Sequence, residues 1–298
     1  MRFERFEDDL LRRFPQLPRL PRYGYTVVAG LGVFSVLMFM MLCMGLALIA
    51  SFPAAATPTP IPPTLLPVEP VDCNDPAAPD ILWQLQGPDC VLHEERPEGT
   101  ATNTLDMSYP HTFISQAPFT KPIILNVFRS LRDGFWQQRA ENPPNPANPP
   151  APSDSWMFQV STDVTAFSND VQSLVFTVNA YTGGAHPFSY HETVTFDLPL
   201  QTTLSLPDIF ESNVNAYALI APLARVQLLT QNPDLADFVN PGTEPSADNY
   251  RTWGLTSDSL VLYFSQGTVG PSALGNQQVS IPLSSLADSL KPEFVPGQ

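Results

Sequence analysis

The chain has 298 residues and a formal net charge of −15, with only 14 Lys and Arg. That balance excludes nucleic acid as a partner, because neutralising phosphates takes clustered basic side chains. An apolar share of 43% allows a sizeable core, while three cysteines are too few for a disulfide scaffold or a zinc ribbon.

Residues 1–25 form a basic arm with six Arg against four acids, and no Asp, Glu, Lys or Arg then appears between Arg22 and Glu69. Residues 26–50 are a 25-residue apolar run. As a helix it spans about 37 Å, more than the ~30 Å hydrocarbon core of a bilayer. Arg19 and Arg22 precede it and no basic residue follows closely, so the positive-inside rule puts the N-terminus in the cytoplasm and the C-terminal body outside the cell. The rival reading, a cleaved signal peptide, has Ala54–Ala56 as a cleavage site but normally carries a shorter apolar run of ~7–15 residues.

Residues 51–71 are Pro-rich and lack Gly, which favours an extended, semi-rigid spacer. Residues 72–107 contain Cys73 and Cys90, which on the oxidising side of a membrane are expected to pair. Closing that loop gains about 3 kcal/mol in the chain-entropy picture.

From residue 108 to 298 the pattern is α+β. Residues 120–141 read as a helix with Thr120 as cap, Pro122 in its first turn, and Ile124, Phe128, Leu131 and Phe135 on one face. Residues 142–155 hold six prolines and read as an exposed loop. Alternating apolar positions then mark strands through Trp156–Val160, Leu174–Ala180 and Val194–Leu198, with late strands at Leu260–Phe264 and Val279–Leu283. Pro207 and Asp208 open a short helical turn, and Val214–Thr230 reads as a helix kinked at Pro222. The expected fold is an antiparallel sheet with one or two helices packed on it.

No P-loop, dinucleotide fingerprint or GxSxG elbow is present. His186 and His191 can pair around a turn, but no third ligand accompanies them, so no metal or cofactor is expected. The most distinctive run is residues 180–187, AYTGGAHP. Gly183 and Gly184 permit the positive φ of a sharp reversal, so the run reads as a hairpin connection, or as a loop presenting Tyr181 and His186 to a ligand.

That run, with the FDLP and LPDIF stretches after it and the later GPSALG and IPL segments, resembles the extracytoplasmic domain of RsiV-type anti-sigma factors, the domain of unknown function 3298. Tyr109 and the 120–141 helix resemble the 4163-like half that often precedes it. The resemblance implies a compact α+β ectodomain that binds a protein, lysozyme in RsiV-type proteins, with Tyr181, Gly183, Gly184, His186, Pro271 and Ser272 as candidate ligand contacts. Two features depart from the pattern: the cytoplasmic arm is too short for a folded sigma-binding module, and Ser272 stands where the family often has an aromatic. Thr195-Phe196-Asp197 shares three letters with a deacetylase motif whose second Asp and HxxxH pair are missing here.

The expectation is therefore a non-catalytic, single-pass membrane protein whose ectodomain binds or senses an extracytoplasmic protein such as a basic, lysozyme-like wall-lytic enzyme. The alternatives are an envelope assembly or spacer protein and, below it, a wall-polymer hydrolase using His186 or acidic residues.

Overall fold

The structure, a computed structural model, describes residues 72–144, 151–184 and 186–297. The basic arm, the apolar run and the Pro-rich linker lie outside the described residues. No helix among the described residues is long and apolar enough to cross a membrane.

Seven strands form one sheet in sequential order: β1 (Gln84–Gln86), β2 (Asp89–Glu98), β3 (Ala101–Pro110), β4 (Met157–Ala166), β5 (Val171–Tyr181), β6 (Phe188–Asp197) and β7 (Thr202–Leu204). Every neighbouring pair is antiparallel except β3 and β4, which run parallel from Thr104↔Met157 to Met107↔Val160. A parallel pair needs a crossover, and the chain between them supplies it as α1 (His111–Gln116) and α2 (Lys121–Glu141). Residue 108, where the sequence reading begins the ectodomain, lies inside β3, so the cysteine-containing segment shares this sheet.

The α2 face of the sheet holds the larger aromatic core. Phe128 packs edge-on against Phe176 at 5.3 Å and Phe135 stacks on Phe158 at 5.0 Å. Leu105, Met107, Leu174, Val178 and Phe196 complete this layer, all almost fully buried. Each such side chain contributes about 1.5–3 kcal/mol of burial. Two ion pairs and a hydrogen bond stitch α2 to β2: Arg132 Nε donates to Glu94 at 2.6 Å, Arg139 pairs with Glu98, and the neutral Trp136 Nε1 donates to the other Glu94 oxygen at 2.6 Å. Cys73 and Cys90 form a disulfide that pins the entering chain to β2, and Trp83 then packs against Tyr109 and Phe128.

The opposite face is half covered. A second, three-stranded antiparallel sheet, β8 (Trp253–Leu255), β9 (Ser259–Phe264) and β10 (Gln277–Pro282), lies over β5 and β6. Its backbone bonds to hydroxyls of the large sheet: Leu255 N–H donates to Ser173 Oγ and Trp253 N–H to Thr193 Oγ1, both at 3.0 Å. Gly254 makes the approach possible, because a Cβ there would lie 3.2 Å from Ser173 Cβ. A second core joins this sheet to α3 (Ala216–Gln231) and α4 (Ala236–Gly242) through Ile220, Leu228, Val239, Leu262 and Val279.

The α+β class holds, with two corrections. The large sheet is mixed rather than wholly antiparallel, and a second sheet accompanies it. Thr120 stands at the N-cap position of α2 but makes no side-chain capping bond: its own backbone is helical and its hydroxyl donates to Ala117 O at 2.7 Å, closing the preceding turn. The late strands appear as expected, and α3 runs through Pro222 with Asn215 as its cap. Asp208 accepts the Ser205 backbone N–H at 2.7 Å at the head of its short turn.

Candidate functional site

The run at residues 180–187 connects β5 to β6, with Ala180 opposite Phe188. Gly183 and Gly184 have φ of 85° and 97°, and Tyr181 Oη donates to Gly184 O at 3.0 Å, which braces the reversal from inside. Gly183, Gly184 and His186 are exposed, and Tyr181 is half-buried. Pro271 and Ser272 are also exposed, in the connection between β9 and β10, where Ser272–Leu274 form a 3-10 turn.

The bases of these two loops meet at the start of β6. Ser189 N–H donates to Gln266 Oε1 at 2.8 Å, and Gln266 N–H donates to Asn276 Oδ1 at 3.0 Å. A backbone N–H can only donate, so the Asn276 amide has its oxygen toward Gln266 and its nitrogen toward β6. That nitrogen donates to Ser189 Oγ at 2.9 Å and to His191 Nε2 at 3.2 Å. His191 therefore accepts at Nε2 and is left to donate from Nδ1 to Thr177 Oγ1, 3.2 Å away. Burial lowers the pKa of His191, against the pull of Asp163, and the Tyr263 ring sits 5.1 Å from it. Neighbouring Tyr190 is pushed up to about 12 by burial, with Glu192 adding to the shift. His191 is thus a neutral structural ring, and the two histidines do not act as a pair: His186 is out in the loop.

Beyond the small sheet the face of β1–β5 stays open, and a shallow groove of about 460 Å³ crosses it. Gln86, Asp89, Ser108, Gln159, Ser161 and Asn179 line it. Register explains the arrangement. His93, Asp106, Gln159 and Asn179 lie opposite one another on successive strands, and Val91 and Ser108 belong to the adjoining row. At the edge His93 Nδ1 meets Asp106 Oδ1 at 2.6 Å and Nε2 meets Glu95 at 3.2 Å, and the Asp106 bond raises the pKa of His93. Among the described residues no three His, Cys, Asp or Glu side chains converge to hold a metal.

The structure thus brings together at their bases the two loops that the sequence singles out. Sequence reasoning missed the residues that join them, Ser189, Gln266 and Asn276, and it missed the groove. The outward polar positions of β4 and β5 were legible as alternation; which of them share a row depends on register, which periodicity does not supply.

Residues 207–284 match the family described as "Protein of unknown function (DUF3298)". The chain is 28% identical over 140 residues to the peptidoglycan-N-acetylmuramic acid deacetylase PdaC of Bacillus subtilis, a match covering 46% of this chain and 30% of that protein. It is 26% identical over 197 residues to an esterase of Mycobacterium tuberculosis, covering 66% of this chain and 81% of the esterase. A crystal structure of a DUF3298 family protein from Pseudomonas aeruginosa PAO1 shares the fold, with TM-score 0.50 and 19% identity over 71% of this chain and 97% of the other.

Proposed function

We propose, from the premise that residues 207–284 form a DUF3298 domain, that the chain is a membrane-anchored, extracytoplasmic binding or sensor protein whose ligand docks on the paired loops. The observation that carries this reading is the bond chain Ser189–Gln266–Asn276, which holds the 180–187 hairpin and the 265–276 loop at a common base. A loop pair fixed before the ligand arrives loses little entropy on docking. The net charge of −15 favours a basic partner, such as a lysozyme-like wall enzyme, through long-range attraction.

Calorimetry of the full chain with lysozyme tests this. Binding should weaken as salt rises from about 0.05 M to about 0.5 M, because screening shortens the reach of the charges. Asn276→Ala should weaken it by about tenfold, equivalent to ~1.4 kcal/mol. Heat that is absent at low salt, or an Asn276→Ala variant binding as tightly as the parent, would refute the loop site.

The esterase likeness favours a second reading, hydrolysis, with the exposed His186 as its base. It requires ester turnover by the full chain that disappears in His186→Ala while the melting temperature stays put.

A further inference from the structure

We infer that the open groove across β1–β5 is a binding site for an uncharged sugar chain, separate from the loop pair. Six of its side chains, Gln86, Asp89, Ser108, Gln159, Ser161 and Asn179, make no hydrogen bond to another described residue, and Gln86, Gln159, Ser161 and Asn179 are exposed on the open face. The seventh polar group, Asp106, is already held by His93. The chemistry of the six selects the ligand class. An anion is disfavoured, because no Lys or Arg lines the groove. A polycation is matched by one free carboxylate only, Asp89, while three amide NH₂ groups and two hydroxyls would present donors to it. An apolar ligand would leave all six groups desolvated and unpaired. A neutral polyol has alternating donors and acceptors and satisfies amides, hydroxyls and a carboxylate together.

The geometry suits the same ligand. The side chains stand in cross-strand rows, with strands about 4.8 Å apart and same-face residues about 6.8 Å apart along a strand. This gives a lattice of polar groups on the scale of adjacent sugar hydroxyls. One step beyond Gln159 on the same face of β4 comes Met157, which is 39% exposed and adds an apolar edge on which the C–H face of a sugar ring can rest. A volume of about 460 Å³ falls within the range of small-ligand sites, about 300–1,000 Å³.

The test is titration of the full chain, kept in a detergent without a sugar head group, with chitotetraose, cellotetraose and tetralysine, followed by calorimetry. Saturable binding of at least one of the two sugars is expected, falling at least tenfold in the double variant Gln159→Ala/Asn179→Ala. Ser161→Phe, which fills the groove without removing a protein–protein bond, should abolish it, and Asn276→Ala should leave it intact. Binding of neither sugar, binding unchanged in Ser161→Phe, or saturable binding of tetralysine alone would overturn the inference. Loss of sugar binding in Asn276→Ala would overturn its separation from the loop site.

Discussion

His191 carries more of the loop architecture than its ordinary position in a strand announces. Its Nε2 accepts from an amide whose orientation is forced by a backbone N–H, so protonating the ring sets N–H against N–H at 3.2 Å. The groups around it are Asp163, which favours the charged form, and the neutral Thr177, Asn276 and Tyr263. Burial wins and the folded pKa lies below the ordinary value. An unfolded chain takes up this proton near ~6.5. Between the folded and unfolded values the unfolded state binds more protons, so stability rises with pH there. The contribution is complete above ~6.5 and is lost as pH falls through the folded value. His191→Gln keeps an acceptor for Asn276 and removes the titration. Its melting temperature should depend less on pH between about 7.5 and 5 than the parent's; equal slopes in the two proteins would refute the assignment. The sequence pairs His191 with His186 by spacing alone, and nothing local reveals that its partner is an asparagine 85 residues away.

At the scale of elements, what was legible followed strong periodicity. Residues 121–141 announce their apolar face at helical spacing, and β5 announces itself by Leu174, Phe176, Val178 and Ala180. The β2–β3 hairpin did not, for two physical reasons. Its first strand carries Glu94, Glu95, Arg96 and Pro97, which show no apolar alternation, yet Glu94 is consumed by Arg132 and Trp136 of the helix above. Pro97 is tolerated because β1 pairs β2 only from Asp89 to Val91, leaving the rest of that edge free. Its second strand puts polar Asn103 in a buried position, where an alternation rule expects an apolar residue. The structure supplies the compensation: Asn103 Oδ1 accepts from Trp156 N–H at 2.9 Å, and Nδ2 donates to Glu98 at 3.0 Å. This side chain therefore ties the hairpin to the start of the parallel strand. Asn103→Ala should cost about 1–3 kcal/mol, the penalty for leaving a buried N–H unpaired. Urea titration measures it, and a midpoint equal to the parent's would mean that the bond to Trp156 contributes nothing.

At the scale of the whole molecule, the sheet separates the point where the chain enters from the loops. Cys73 is bonded to Cys90 near the start of β2, and Tyr109 Oη donates to Cys73 O at 2.9 Å. The row through Tyr181 instead crosses Met157 and Thr104 to reach β2 at Glu95. Five residues of strand separate the two rows, about 17 Å at ~3.3 Å per residue. The disulfide should then matter for stability and not for recognition. Cys73→Ser/Cys90→Ser releases the segment that seats Trp83 on Phe128, and should cost about 2–5 kcal/mol. For a body of this size that is a fall in melting temperature of at least about 4 °C. Affinity for a ligand at the loops should stay within about twofold at a temperature where the variant is folded, since distant sites add independently. Calorimetric melting and binding on the same preparation separate the two effects. A variant that melts with the parent would show the entering segment to be held by packing alone, and one that melts lower but also loses its ligand would place recognition at the disulfide end.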